Sequence, residues 1–350
     1  MPAPFCRRLL SGVLVLSVVA AARAAEPALD AVRDSAVRVA PAYRAEPVAF
    51  ARGASYLTSA GLIRIVGYND MQALFDRWDE AFTAAHPDFH FELALSGTKA
   101  AAAALTKGDS AMAPMGAEFY ESDVAAYQKA VGSYPLQIRV AHDSIRPVAL
   151  SSPIAIWVPA ANPLSALSQD QLVRLFTTGG RRGPIRTWGE LGLTGAWADR
   201  PIRPYGLSLA TALGYFMQKH HFGGAPFRSD AVLVGRSGEA AVKAASDPDG
   251  IAFSVLNAAA PGGRIVPLLP AAGGAPLAGS EEDLVSGEYP LDRFLLIYVR
   301  QPVEPWIRDY LNLVLSREGQ AVVARDRLGY LPLNRAELAA ERAKLELPDN

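Results

Sequence analysis

Three short apolar runs in the first third of the chain each end in a turn of polar or glycine residues. A helix that begins directly after a buried strand presents unpaired backbone N–H groups and the positive end of its dipole, so such a turn suits an anion. Glycine lets the backbone approach a ligand closely, and Thr98 adds a hydroxyl donor. The candidate ligand-binding residues in these turns are Asn69, Asp70, Met71, Ser96, Gly97, Thr98, Gly116 and Ala117.

A similar turn follows the stretch 202–207 in the middle of the chain. Arg203, Ser208 and Thr211 are the candidates here, because a guanidinium can meet an oxyanion with two parallel N–H bonds and hydroxyls can donate to it. Two alternatives stay open. One is that Arg203 is a surface charge at the end of a strand, and the other is that Thr211 only caps its own helix.

Residues with catalytic potential do not form a complete site. Ser208 lies in a Gly-Leu-Ser-Leu-Ala stretch that resembles a nucleophile elbow, but an α/β-hydrolase places its histidine late in the chain. Here the histidines after Ser208 are His220 and His221, within the same predicted helix. We therefore predict no enzymatic activity, no metal site and no cofactor, and keep a secreted serine hydrolase as a remote alternative.

The elements that position these turns follow from hydrophobic spacing. Residues 62–66 read as a buried strand, and the helix after it is expected to be capped by Asn69, with Gln72 completing a capping box. Its apolar face consists of Met71, Leu74, Phe75, Trp78 and Phe82. Strand and helix alternate again further along, which predicts an α/β fold with mainly parallel sheets flanked by helices. Ligands of such sheets lie at the carboxyl ends of the strands.

Composition and the N-terminus indicate an exported globular protein. The chain has 350 residues, is 50% hydrophobic and carries a net charge of −1, so it offers no basic surface for nucleic acid. Arg7 and Arg8 precede an apolar run that ends at a small-residue cleavage pattern, which predicts a signal peptide over 1–24 and a periplasmic or secreted location. Cys6 is the only cysteine. The mature chain would therefore lack disulfides and thiolate metal sites.

Several stretches resemble the phosphate-binding proteins of ABC transporters, which belong to the type 2 periplasmic solute-binding superfamily. VGYNDM (66–71), SGTKAAAAAL (96–105) and LTKGDSAMAPMG (105–116) are similar to the first three loops of that family. Further similarity lies in NPLSALSQDQLVRLFTTG (162–179), DPDGIAF (247–253), YPLDRFLLIYV (289–299) and GYLPL (329–333). The resemblance covers residues 62–333.

This resemblance implies two lobes and a ligand between them. Lobe 1 is expected at 62–150 plus 289–350 and lobe 2 at 151–288, with 25–61 as a leader or linker and crossing strands at 153–158 and 294–299. The cleft would close by hinge motion around an inorganic oxyanion, phosphate first. A monomer that delivers this ligand to an ABC permease is the implied role.

The chain departs from the family pattern at the site itself. The family shows Ser-Gly-Thr four residues after an arginine, whereas Ser208 lies five after Arg203 and is followed by Leu209 and Ala210. Gly116 and Ala117 stand where Ser-Arg is common. No carboxylate acceptor for a monohydrogen phosphate is evident near Gly116, and Asp70 and Glu118 are the two candidates. Tyr68 replaces a small residue and is expected to narrow the cleft or to stack on an organic ligand. These departures keep a second class open, an adhesion, sensor or scaffold protein that retains the fold without transport.

Overall fold

A computed structural model describes residues 30–347, so the predicted signal peptide and Cys6 lie outside the described residues. The strands are β1 (Ile63–Val66), β2 (Phe91–Ala94), β3 (Met112–Met115), β4 (Leu136–His142), β5 (Ile154–Pro159), β6 (Arg203–Leu207), β7 (Val232–Val234), β8 (Gly250–Val255), β9 (Gly263–Val266) and β10 (Phe294–Val299). The α-helices are α1 (Ala31–Val39), α2 (Gln72–Ala85), α3 (Ala101–Lys107), α4 (Glu121–Val131), α5 (Gln169–Phe176), α6 (Ala212–Phe216), α7 (Glu239–Ser246), α8 (Glu281–Val285), α9 (Pro305–Val314), α10 (Arg317–Ala324) and α11 (Arg335–Lys344).

The strands form three sheets. β1 and β2 pair in parallel, and a three-stranded sheet has the order β3-β10-β4 with both pairs antiparallel. The largest sheet has the order β7-β6-β8-β5-β9, in which β6 pairs in parallel with β7 and β8. β5 runs antiparallel to both of its neighbours. The predicted α/β architecture is present, but the sheets of the described residues are not mainly parallel, because four of the seven strand pairs are antiparallel and each of these four involves β5 or β10.

Two main cores divide the molecule. The first contains large side chains from both ends of the described chain, including Trp78, Phe82, Trp306 and Tyr310. The second is built around Phe176, Trp188 and Phe253. Each such side chain contributes roughly 1.5–3 kcal/mol when it is fully buried. We call the parts around the first and second core lobe 1 and lobe 2.

The chain crosses twice between the lobes, near residues 150–153 and 292–294. Buried residues change from the first core to the second between Ala149 and Ile154, and change back between Leu291 and Leu295. The two expected crossing strands therefore begin at the crossings, but each lies within one sheet, β5 in lobe 2 and β10 in lobe 1. No helix within 30–347 is both long and apolar enough to span a bilayer.

Helix ends differ from the sequence prediction at several turns. Asn69 does not cap α2, because a 3₁₀ turn over Asn69–Met71 precedes the helix and no side chain bonds its first amides. Thr98 likewise opens a 3₁₀ turn rather than capping α3. The apolar spacing of residues 306–324 predicts one continuous helix, but the stretch forms two, because Ser316 caps α10 by accepting the Gly319 amide at 3.2 Å.

Residues expected to form a linker contain α1 instead. Its apolar residues Ala36 and Val37 are buried, and Asp30 caps it by accepting the Arg33 amide at 2.9 Å. The sequence pattern is weak here because arginines interrupt the apolar face. The helix is held by its contacts with the rest of the molecule.

A buried histidine joins the elements at the hinge. His142 ends β4, its Nδ1 lies 2.6 Å from Asp292 at the return crossing, and its Nε2 lies 2.9 Å from Glu337 of α11. Burial alone lowers the pKa of His142, but the charge and hydrogen bond of Asp292, together with those of Glu337, raise it to about 10. The imidazolium therefore holds two carboxylates that would otherwise repel each other inside the protein.

Replacing His142 tests whether its positive charge stabilises the folded protein. Because the folded pKa of His142 is about 10 and the unfolded value is 6.5, its contribution is complete below pH 6.5 and is lost as the pH rises through 10. We expect His142→Gln to lower the free energy of unfolding by about 3–5 kcal/mol at pH 6, the cost of breaking a buried ion pair.

The difference from wild type should shrink between pH 6.5 and pH 10 in urea unfolding. His90→Gln is the control, since His90 is exposed. A difference that does not change with pH would contradict a charged His142.

Candidate functional site

The three turns of lobe 1 meet at one edge of its sheets. The Gly97 amide donates to the Gly67 carbonyl at 2.9 Å, which joins the turns after β1 and β2. The Tyr68 amide donates to the Pro114 carbonyl at 3.0 Å, which joins the first turn to the end of β3. The structure thus brings the three predicted turns together.

Two glycines make this approach possible. A Cβ on Gly67 would lie 2.5 Å from the Pro114 carbonyl oxygen, and one on Gly116 would lie 2.4 Å from the ring of Tyr68. Tyr68 is therefore buried against Gly116, and its burial raises the pKa of the phenol. Gly97 has φ of +129°, a conformation that favours glycine, and a Cβ there would meet no atom within 4 Å.

Two predicted residues of the first turn have their groups occupied. The Met71 side chain is fully buried and its amide donates to the Tyr68 carbonyl at 3.2 Å. Asp70 is buried and accepts hydrogen bonds from the Leu150 amide at 2.8 Å and the Tyr330 hydroxyl at 2.9 Å. Asp70 thus links the first turn to the crossing near residues 150–153, and its carboxylate is a poor candidate for accepting a proton from a ligand.

The remaining residues of these turns stay accessible. Asn69 and Ser96 are exposed, and Thr98 and Ala117 are half-buried. Gly116 is buried, and its carbonyl accepts hydrogen bonds from Ser151 at 3.0 Å and Arg293 at 2.8 Å, both at the crossings. The third turn therefore lies against the hinge.

In lobe 2, Ser208 and Thr211 follow the carboxyl end of β6. Thr211 caps α6, since its Oγ1 accepts the Gly214 amide at 3.0 Å and donates to the Ser208 carbonyl at 2.7 Å. This is the alternative that the sequence left open for Thr211. Leu209, which replaces the glycine that the family resemblance implies, is 43% exposed.

Arg203 lies at the opposite end of the same strand. It is the first residue of β6, about 13 Å from Leu207 at the strand's rise per residue. Its side chain is 54% exposed and pairs with Asp247 at 2.5 Å. The structure does not bring Arg203 to the turns, and it favours the surface-charge alternative.

Arg236 is a cation that the sequence prediction passed over. It follows β7 by two residues, and β7 pairs with β6 so that the Ser208 amide donates to the Val234 carbonyl at 2.9 Å. Arg236 is exposed and forms no ion pair within 30–347. Gly238 lies two residues after Arg236 and directly precedes α7. The stretch therefore has the same order of strand, glycine and helix as the other predicted turns.

The lobes touch through the third turn. The Glu118 carboxylate lies 2.8 Å from Lys219 Nζ and 2.9 Å from His220 Nε2, in the π-helical turn Met217–His221 of lobe 2. The rings of Tyr120 and Tyr215 lie 5.0 Å apart beside it. Burial raises the pKa of Glu118, but the hydrogen bonds from His220 and Lys219 outweigh it and lower the pKa to about 2.

Glu118 is thus held by lobe 2, and neither it nor Asp70 has a free carboxylate for a ligand. A cavity of about 380 Å³ lies beside this contact and reaches Arg293 and Tyr289. Of the predicted ligand-binding residues, Ala117 alone lines it.

No catalytic pair forms at Ser208. The His220 imidazole is bonded to Glu118, and the buried His221 Nε2 has no hydrogen-bond partner among the described residues. Neither histidine is bonded to the Ser208 hydroxyl in this part of the chain, which leaves the hydrolase alternative without its base.

A family model described as the PBP superfamily domain matches residues 49–318. The chain belongs to this superfamily. The phosphate-binding protein PstS of Pseudomonas aeruginosa is 30% identical over 296 residues, which cover 82% of this chain and 87% of that protein. The resemblance predicted from the loops is confirmed.

Solved structures support the same fold. An ABC-type phosphate transport receptor from Vibrio cholerae superposes with a TM-score of 0.51 at 16% identity, covering 77% of this chain and 98% of that one. PstS from Borrelia burgdorferi superposes with a TM-score of 0.52 at 14% identity, covering 78% and 99%. These similarities confirm the two-lobed type 2 binding-protein fold.

The contact between Glu118 and lobe 2 can be tested directly. We expect Glu118→Gln to weaken the contact between the lobes and to increase the radius of gyration in small-angle X-ray scattering. Glu80→Gln, an exposed change on α2 of lobe 1, is the control.

Because the pKa of Glu118 is depressed from 4.5 to about 2, the contact is complete above pH 4.5 and is lost as the pH falls towards 2. Scattering curves of the variant and the wild type that coincide at pH 7 would argue against this role.

Proposed function

We propose that this protein is an exported, non-enzymatic receptor that captures an inorganic oxyanion, phosphate first, for an ABC permease. The observation that carries the proposal is the meeting of three strand-end turns at the edge of lobe 1 that contacts lobe 2. The names of the Pseudomonas and Vibrio proteins support phosphate as the first ligand to test. A periplasmic location and a monomer accord with this role.

The donors come from both lobes. Lobe 1 offers Asn69, Ser96, Thr98 and the turn at Ala117, and lobe 2 offers Ser208. Binding shifts the hinge equilibrium because donors on both lobes reach the anion together only when the cleft is closed.

The negative charge of the ligand requires a cation. Arg203 is turned to the other end of β6 and is paired with Asp247. Arg236 and Lys99 are exposed next to the turns, one in each lobe, and neither forms an ion pair within 30–347. We assign the charge-neutralising role in lobe 2 to Arg236.

A pair of arginine variants tests both the function and this assignment. Calorimetric titration with phosphate should give binding heat for the wild type. Arg236→Ala should weaken affinity at least about tenfold, because a charge-assisted hydrogen bond contributes about 1.5–3 kcal/mol. Arg203→Ala is the matched control on the same sheet and should bind as the wild type does.

If Arg203→Ala weakened phosphate affinity and Arg236→Ala did not, the charge-neutralising role would belong to Arg203. Absence of heat and of thermal stabilisation at millimolar phosphate, for a folded wild type, would refute the receptor proposal.

Selectivity follows from the occupied carboxylates. A free carboxylate would accept the proton of monohydrogen phosphate and repel sulfate. Asp70 and Glu118 are both already bonded within the protein. We expect phosphate and sulfate to bind within about tenfold of each other, a difference below about 1.4 kcal/mol. Competition calorimetry measures it, and a much larger preference for phosphate would point to a different acceptor.

The adhesion, sensor or scaffold alternative is favoured by one observation. The exposed Leu209 follows Ser208 in the turn after β6, where the family resemblance implies a glycine. The titration that tests the receptor role separates the two, because a scaffold protein would remain folded and bind no oxyanion.

A further inference from the structure

Helix α1 is fixed to lobe 1 at its C-terminal end. The Arg317 amide donates to the Pro41 carbonyl at 2.7 Å, and the Tyr43 amide donates to the Glu318 carboxylate at 2.7 Å. The Tyr43 hydroxyl donates to buried Asp309 at 2.8 Å. Residues 40–46 therefore move with lobe 1.

The N-terminal half of the same helix reaches lobe 2. Arg33 Nη2 and Nε lie 2.6 Å and 3.0 Å from the two carboxylate oxygens of Glu281 in α8. The same guanidinium donates to the carbonyls of Ala324 at 3.1 Å and Gly329 at 3.4 Å, both outside lobe 2. One side chain thus holds both sides of the hinge.

Burial makes this contact sensitive to displacement. Arg33 is only 3% exposed, and two parallel N–H bonds to a carboxylate require fixed geometry. If the lobes rotate apart, Glu281 moves with α8, and the buried guanidinium keeps only Asp30 among the described carboxylates, a 52% exposed side chain 3.2 Å from Arg33 Nε at the start of the same helix. Such a loss is costly in a protein interior.

We propose that α1 is an intramolecular clasp across the hinge that favours the closed arrangement of the lobes. The helix lies before residues 49–318, which the family model matches. The clasp is a second contact between the lobes, separate from that of Glu118 with Lys219 and His220. It requires no ligand and is therefore independent of the proposed function.

Distances between the lobes test the clasp without a ligand. Spin labels at Lys129→Cys and Val242→Cys, both on exposed helix positions, report the separation by pulsed electron paramagnetic resonance once Cys6 is replaced by serine. Arg33→Ala should give a longer and broader distance distribution than the wild type. Arg38→Ala is the matched control in the same helix, since Arg38 is 76% exposed and pairs only with Asp34 in α1.

A second variant keeps the test decisive if Arg33→Ala does not fold. Glu281→Gln keeps the side-chain shape and leaves the Arg33 bonds to Ala324 and Gly329 in place. It should lengthen the same distance. Spin-label distances equal to those of the wild type in both the Arg33 and the Glu281 variants would overturn the clasp. This holds even if the unfolding midpoint fell, because the ion pair would then stabilise the fold without holding the lobes together.

Affinity gives a separate readout. If the wild type binds phosphate, loss of the clasp should raise the apparent Kd about fivefold or more, the usual lower range of coupling between distant sites. If the wild type does not bind phosphate, the receptor proposal fails while the distance measurement still decides the clasp.

Discussion

The close approach of three turns in lobe 1 is the constraint on which the candidate site depends. Gly67 and Gly116 have no room for a side chain, because Pro114 and Tyr68 occupy that space. The glycines thereby place the turns after β1, β2 and β3 within hydrogen-bonding distance of one another. A single methyl group at either position would separate these turns.

Local sequence was sufficient to predict these turns. A strand of apolar residues, a glycine and the start of a helix are adjacent in the chain, so their pattern carries the information needed to find them. The spacing of Ser168 and Gln171 likewise predicts the capping box that α5 shows, since both partners lie within one helical turn. The family resemblance added the two-lobed arrangement, which no local pattern specifies.

The errors concern partners that are distant in sequence. Asp70 is occupied by Leu150 and Tyr330, and neither pairing is visible from residue types alone. Arg203 was predicted to donate to a ligand, whereas the structure places it at the first residue of β6 in an ion pair with Asp247, since side-chain type does not tell at which end of a strand a residue lies. Arg236 was passed over although it follows the same strand-to-helix signal. The choice between the two arginines depends on the register of β6 with β7, which only the structure provides.

The way the two cores are assembled also bears on how the protein is made. The first core combines residues 40–149 with residues 295–345, whereas the second draws on 154–291, with Leu331 added from near the C-terminus. During synthesis, the early strands of the first core must wait for the last part of the chain. The half that emerges first therefore cannot complete its core until the last part of the chain has been made. The continuous half can condense as a unit of its own.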